Sequence, residues 1–321
     1  MVKKIVSIVL PCFNEAVVLP KTMARIKKLC QDFIKKGFLY EIIMVDDGSD
    51  DQTKNIITSY CQKDKNIILV SFSRNFGHEA ASLAGIKIAS GDAVVLMDAD
   101  LQDPPEVVLD MIKKWQGGAD VVYGVRQNRK GESLFKKINA FFFYRLINLL
   151  ANRKIPADTG DFRLMDRKVV TALQQMPERT KFLRGMIAWL GFQQTAVYFV
   201  RDKRAGGKTK YPFKKLLSLA MDGIFSFSIK PLQWTTYLGF SISLLSLLGI
   251  IYNIYKKLFT DAYVISGFAT TIIAILFLGG VQLIVLGILG EYVGRIYSEV
   301  KHRPEYVIDE IIGGKKTHGK K

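Results

Sequence analysis

Cysteine is scarce in this 321-residue chain: Cys12, Cys30 and Cys61 are the full set, and no two lie close in sequence. An odd count without a close pair excludes a disulfide framework and a cysteine zinc site, and fits buried thiols in a reducing compartment. The G-x-G-x-x-G of dinucleotide enzymes is absent, which argues against a Rossmann dehydrogenase. No internal repeat is present. The start, "MVKKIVSIVLPCFNEA", has an apolar run too short for a secretory signal with a small-residue cleavage site, so the N-terminus is expected to stay cytoplasmic.

Charge is also missing from two long stretches, Pro231 to Tyr255 and Ala262 to Gly290. Each exceeds the roughly 20 apolar residues that cross a bilayer, so two transmembrane helices are expected within 231–291. Lys208, Lys210, Lys214, Lys215 and Lys230 precede the first; Arg295, Lys301, Arg303 and the tail "GGKKTHGKK" follow the second. The connecting loop holds only Lys256, Lys257 and Asp261. Excess positive charge on the cytoplasmic side then gives a multi-pass protein of the cell membrane with both termini and the preceding domain in the cytoplasm. Just before the first span, "PFKKLLSLAMDGIFSFSIKPL" mixes apolar and basic residues. It suits a helix lying at the headgroup level or an ordinary amphipathic helix packed on the domain. A formal charge of +17 alone does not separate nucleic acid from anionic lipid or a phosphorylated substrate. A nucleic-acid binder leaves the two apolar stretches unexplained, so no nucleic-acid partner is expected.

What is present before residue 126 is alternation. The apolar runs "IVSIVLP", "EIIMVDD", "NIILVSF", "DAVVLMD" and "ADVVYGV" are separated by segments with helical spacing. Alternating strands and helices predict an α/β domain on a parallel, doubly wound sheet with ligands at the carboxyl ends of its strands. Polar segments "FNE", "DDGSDD" and "DADLQD" follow the first, second and fourth runs and would line one crevice.

In "DADLQDPPE", Asp98 and Asp100 stand two residues apart at a strand end and point to the same side. They must converge on a cation or repel each other, and a phosphate-bound Mg2+ or Mn2+ needs only one or two protein carboxylates. Asp103, before Pro104 and with Glu106 three residues on, is expected to cap the next helix. Asp46 and Asp47 either accept hydrogen bonds from a base or ribose or serve the turn, with Ser49 and Gln52 as a capping box. In "SRNFGHEAA", Arg74 and Asn75 follow the third strand, and His78 is expected to be structural. Asp161 and Arg163 form a salt-bridged turn or part of a site, and Asp166 can cap a helix starting near Arg167. Arg201, Lys203, Arg204, Lys208 and Lys210 surround two glycines, either as a mobile loop closing over phosphates or as a basic surface.

With "PCFNEA", "VDDGSDD", "SRNFGHEAA", "DADLQDPPE", "DTGDFRLMDR", "RAGGKTKY" and the paired C-terminal spans in this order, the chain resembles the polyprenyl-phosphate glycosyltransferases of the GT-A, family 2 type. That group contains dolichol-phosphate mannosyltransferase and bacterial bactoprenol glucosyltransferases, and the resemblance runs from Ile5 to about Pro304. It implies a GT-A domain over 1–210, interface helices over 211–230, spans over 231–291 and a basic cytoplasmic tail over 292–321. The implied reaction is inverting attack of a polyprenyl phosphate on the anomeric carbon of a nucleotide sugar. UDP-glucose is favoured, with UDP-N-acetylglucosamine and GDP-mannose kept open. The implied nucleotide-sugar ligands are Pro11, Asn14, Glu15, Asp46, Asp47, Arg74, Asp98, Arg204 and Lys208. The implied metal ligands are Asp98, Asp100 and Gln102, and the catalytic set is Asp161, Asp100, Arg126 and Arg163. Asp161 would act as a base or as an orienting residue. A processive polysaccharide synthase would carry Q-x-x-R-W and more spans, neither of which is present; a non-catalytic membrane scaffold of GT-A fold, expected to lose Asp98 or Asp100, is the alternative that metal-dependent turnover of a sugar nucleotide discriminates. Gly279, Gly280, Gly287 and Gly290 offer a close-packing face, either between the two spans or in a homo-oligomer.

Overall fold

The structure, a computed structural model, describes residues 3–127, 159–177, 182–200, 229–259 and 268–314. The expected segments "KKINAFFFYRLINLL", "RDKRAGGKTKYP" and "PFKKLLSLAMDGIFSFS" and the tail after 314 lie outside the described residues, and with them Arg204 and Lys208.

The alternating runs become β1 (Ile5–Cys12), α1 (Leu19–Lys35), β2 (Leu39–Asp46), α2 (Thr53–Lys63), β3 (Ile67–Phe72), α3 (His78–Ile88) and β4 (Ala93–Leu96). A 3-10 turn at Pro105–Val107, α4 (Val108–Gln116) and β5 (Val121–Gln127) follow. Then come β6 (Thr159–Asp166), α5 (Arg167–Gln174), α6 (Leu183–Leu190) and β7 (Gln194–Val200). Two long helices, α7 (Lys230–Phe259) and α8 (Phe268–Val300), precede β8 (Ile308–Gly313).

Side chains that alternate between two buried faces explain the sheet. Ile8 and Leu10 face one side with Met44, and Val9 faces the other with Ile43 and Val45. The first side is covered by α1, α2 and α4, the second by α3, α5 and α6. Helix α1 forms because Leu19, Met23, Ile26, Cys30 and Phe33 repeat at helical spacing behind a Pro in the first turn, and all five are buried. Cys12, Cys30 and Cys61 are free and buried, and burial pushes the Cys30 and Cys61 thiols up to about 12 and about 11. They are core residues, as their spacing indicated.

The strand order is β7-β5-β6-β4-β1-β2-β3-β8. Strands β3, β2, β1 and β4 are parallel, as expected, but the sheet is mixed: β6 is antiparallel to both β4 and β5, and β8 is antiparallel to β3. The fifth apolar run therefore does not continue the parallel series beside β4. A later strand separates them, a pairing that local periodicity does not encode.

The two expected apolar stretches form α7 and α8, both long and apolar enough to cross a membrane. At 33 residues, α8 is about 50 Å long against a hydrocarbon core of about 30 Å, so it outlasts the apolar band. Its last turns carry the Glu291–Arg295 pair at 3.0 Å. The expected tail over 292–321 is corrected here: the helix continues to Val300, and Ile308–Gly313 joins the sheet as β8. Lys54 binds Asp309 and Glu310 at 3.1 and 3.3 Å, and Tyr306 stacks on Phe72 with ring centroids 4.9 Å apart. Ile312, packed against the core, and these pairs give the segment a partner that its neighbouring lysines conceal. The chain thus leaves the sheet domain toward α7 and returns to the same sheet after α8.

Candidate active site

Parallel strands end on one edge, so the loops after β1, β2, β3 and β4 gather there. The first two are laced together: Asn14 N donates to Ser49 Oγ at 3.0 Å, Asn14 Oδ1 accepts from Asp50 N at 2.9 Å, and Glu15 N donates to Thr53 Oγ1 at 2.9 Å. Asn14 takes φ of 55°, which asparagine tolerates better than most residues. Pro11 is buried within β1. The expected capping box of Ser49 and Gln52 is corrected: Ser49 receives Asn14, while Asp51 Oδ1 accepts Thr53 N at 2.9 Å at the start of α2.

Asp46 and Asp47 turn inward. Asp46 is 1% exposed and accepts from Ser49 N and Ser71 Oγ at 3.3 and 3.4 Å. Asp47 accepts from Phe76 N at 2.7 Å and Gly77 N at 3.0 Å, holding the loop that leads into α3. Gly48 makes that close packing possible: a Cβ there would lie 2.4 Å from the Arg74 carbonyl carbon, and its φ is +65°. Arg74 is exposed, lying 4.1 Å over the Phe76 ring.

The fourth loop carries the acidic pair. Asp98 is half-buried and Asp100 is buried. Asp100 Oδ1 accepts Gln102 N at 3.0 Å across Leu101, whose φ is 60°. Asp103 does not cap. The turn begins at Pro105 without a side-chain cap, and the buried Asp103 carboxylate lies 3.6 Å from Arg126 Nη2. Glu106 instead binds Arg25 Nη2 at 2.6 Å. Arg126 lies against Gly160, where a Cβ would come within 2.8 Å of its guanidinium.

Because β6 runs antiparallel to β4 with Leu96 opposite Arg163, the residue two positions earlier in β6 meets the residue two positions after Leu96. Asp161 is thereby set beside Asp98. His78, the first residue of α3, joins them: its Nε2 is 3.5 Å from Asp98 Oδ1 and 3.7 Å from Asp161 Oδ2. Arg184 in α6 forks onto Asp161 from another side, Nε to Oδ1 at 2.8 Å and Nη2 to Oδ2 at 3.0 Å. Arg163 is buried beneath, donating to Gly160 O at 2.9 Å and Asp161 O at 3.2 Å. Asp166 caps α5 as its position indicated, accepting Lys168 N at 2.9 Å.

The electrostatics follow from this crowding. Burial pushes the Asp98 carboxyl up to about 6, with Asp161, Asp100 and Asp103 adding to the rise and His78 opposing it. Burial would raise Asp161 too, but the His78 and Arg184 cations outweigh it and hold Asp161 well below the usual carboxylate range. Burial works to lower His78, yet Asp161 and Asp98 raise it to about 9. Glu79 is pushed up to about 7 by burial and then by the Asp161 charge.

A divalent cation fits the donor set, because Asp98 and Asp100 offer hard oxygen donors and the neighbouring carboxylates disfavour ionisation of Asp98. Among the described residues no group of three or more His, Cys, Asp or Glu side chains forms a metal cage. An ion held by two carboxylates would be completed by phosphates and water. His78, Glu79 and Arg184 were missed in the sequence as site residues. His78 and Glu79 had one signal, their place at a helix start on the ligand edge. Arg184 had only its charge within the apolar "FLRGMIAWL".

Comparison with known proteins matches residues 7–173 to the model of Glycosyl transferase family 2 and residues 230–296 to that of the GtrB C-terminal hairpin. An uncharacterised glycosyltransferase of Bacillus subtilis is 47% identical over 307 residues, covering 96% of this chain and 94% of that one. A second, from Synechocystis, is 49% identical over 96% of this chain and 95% of its own. The bactoprenol glucosyl transferase of Shigella phage SfV is 43% identical over 94% of this chain and 97% of its own. The acidic edge lies inside the first matched segment and α7 and α8 span the second, so this chain belongs to glycosyl transferase family 2, with a GT-A sheet domain followed by a GtrB-type hairpin.

Proposed function

We propose that the protein transfers one glucosyl unit from UDP-glucose to the phosphate of a polyprenyl lipid, undecaprenyl phosphate, at the cytoplasmic face of the membrane. The observation that carries this reading is the 42–43% identity to bactoprenol glucosyl transferases of Shigella phages SfV and SfII, which extends through both the sheet domain and the hairpin. The hairpin holds the acidic edge near the plane where a prenyl lipid keeps its phosphate.

In the proposed step an oxygen of the lipid phosphate forms a bond to the anomeric carbon as the bond from that carbon to the diphosphate oxygen breaks. The electron pair leaves with UDP, and the configuration inverts. A phosphate monoester is already anionic near neutral pH, so the attacking oxygen needs placement more than deprotonation. Asp98 and Asp100, with Gln102 beside them, would hold Mg2+ or Mn2+ on the donor diphosphate. When bound, such an ion offsets charge developing on the leaving group. Pro11, Asn14, Glu15 and Arg74 line the edge on which the nucleotide would sit. Asp46 shapes that edge through Ser49 and Ser71, and Asp47 through the 73–77 loop. Arg126 stands beside Asp103 and Gly160, where it can meet a phosphate oxygen. Arg204 and Lys208 are assigned to the donor phosphates on motif alone.

The test is incubation of the detergent-purified protein with undecaprenyl phosphate, Mg2+ or Mn2+, and radiolabelled UDP-glucose, UDP-N-acetylglucosamine or GDP-mannose, counting label in the lipid phase. Transfer of glucose, lost with chelator, is expected. Transfer of a different sugar would overturn the donor assignment, and no lipid label from any donor would overturn the reaction.

A further inference from the structure

Among the described residues, the edge of the sheet holds one arginine that neither the motifs nor the reaction above accounts for. Arg184 enters from α6, the second helix after the strand that bears Asp161, and its planar fork meets both carboxylate oxygens at 2.8 and 3.0 Å. The docking of α6 is itself tied to the site, since Leu183 N reaches Glu79 Oε2 at 3.4 Å, one residue after His78. Asp161 is further flanked by His78 Nε2 at 3.7 Å on Oδ2 and Arg163 Nη2 at 3.8 Å on Oδ1. A bidentate fork fixes the plane of a carboxylate as well as its position.

We propose that Arg184 is a positioning residue for sugar transfer: it clamps Asp161 in one orientation beside Asp98, so that Asp161 serves as a fixed anionic post for the reacting groups and not as a proton acceptor. The inference rests on the transfer reaction proposed above. Two observations of geometry carry it. Both Asp161 oxygens already receive charged donors from Arg184, which leaves the carboxylate poorly placed to take up a proton. Arg184 also reaches Asp161 from α6, a different element from α3, whose His78 lies within 3.7 Å of both Asp98 and Asp161. The low proton affinity of Asp161 agrees with this arrangement.

Arg184→Lys keeps the charge but not the fork, and Arg184→Gln removes both. Full-length protein in detergent is assayed for lipid-linked sugar with the donor that wild type uses, separating kcat from KM. The expected result is a kcat about 10-fold lower for Arg184→Lys and about 100-fold lower for Arg184→Gln, with KM for the nucleotide sugar within about 3-fold of wild type. Asp161→Asn combined with Arg184→Gln should be no slower than Asp161→Asn alone, because the two residues act as one unit. A kcat for Arg184→Gln within about 2-fold of wild type, losses that multiply in the double variant, or a loss expressed wholly in KM for the nucleotide sugar would overturn the proposal. Thermal melts run alongside. If Arg184→Gln alone does not fold, the double variant, in which residue 161 no longer carries the charge that Arg184 offsets, and Arg184→Lys carry the comparison. Wild type transferring N-acetylglucosamine or mannose would overturn the glucose assignment but not this one, since the kcat comparison is then made with that sugar.

Discussion

Replacing Asp47 by alanine should loosen the loop that presents His78. Asp47 is 3% exposed, and its carboxylate receives Phe76 N at 2.7 Å and Gly77 N at 3.0 Å. A buried donor left without an acceptor costs about 1–3 kcal/mol, so the two amides set an upper range of about 2–6 kcal/mol. Two effects reduce it. Burial raises the Asp47 carboxyl above its ordinary value, the sign of an ion kept in the fold at a cost, and the loop is near enough to solvent for water to reach the freed amides. A net loss of about 2–3 kcal/mol remains, or about 4–12 °C in melting temperature for a domain of this size. Asparagine retains one oxygen and should cost about 1 kcal/mol. The assay is thermal unfolding of the full-length protein in detergent, with amide hydrogen exchange read at Phe76 and Gly77. A melting temperature for Asp47→Ala within about 1 °C of wild type, with unchanged exchange at those amides, would refute the scaffold role and return Asp47 to a ligand role only.

Three further outcomes are expected. Asp98→Asn and Asp100→Asn should each lower kcat by about 100-fold or more while the melting temperature holds or rises, since each removes a mutually repelling charge; transfer that resists both chelator and these changes would count against a metal-assisted leaving group. Glu79 ionises at about 7 in the fold against an ordinary value of 4.5, so the folded chain keeps a proton that the unfolded chain releases, and stability falls as pH rises from about 4.5 to about 7. Glu79→Gln should therefore gain melting temperature over wild type at pH 8 but not at pH 4.5, and an equal gain at both would contradict the assignment. Tyr306→Ala removes the stack on Phe72 and should cost about 1–3 kcal/mol, freeing β8 and speeding proteolysis after α8; unchanged cleavage would mean that β8 is held without Tyr306.

The parallel strands were legible because buried strands read as apolar runs of about four to eight residues ending in polar loops, and "DADLQD" announced its edge of the sheet by the same logic. The charge-free stretches announced α7 and α8 from length alone. Local capping was read with mixed success: Asp166 caps α5, whereas Asp103, identical in chemistry, is drawn to Arg126 and Ser49 is drawn to Asn14. Side-chain oxygens choose among donors by distance, and distance across the fold is not written in neighbouring letters. From pattern alone Asp161 stood in the sequence as half of a salt-bridged turn or part of a site, with a catalytic role implied by resemblance, and His78 stood as a structural histidine. Their meeting with Asp98 depends on β6 inserting antiparallel between β4 and β5 in one register. A shift of one residue would turn Asp161 to the opposite face.

What the sequence alone determined is therefore whatever rests on local periodicity and composition: alternating elements, a hydrophobic core, two long apolar helices, and a pair of carboxylates at a strand end. Only the tertiary structure decided the strand order, the return of Ile308–Gly313 to the sheet, and the convergence of His78, Asp98, Asp161 and Arg184. The reason is physical. Periodicity reports the backbone geometry of each segment and which of its faces is buried, whereas register, pairing and charge contacts join residues far apart in the chain, and their energies exist only once those segments are packed.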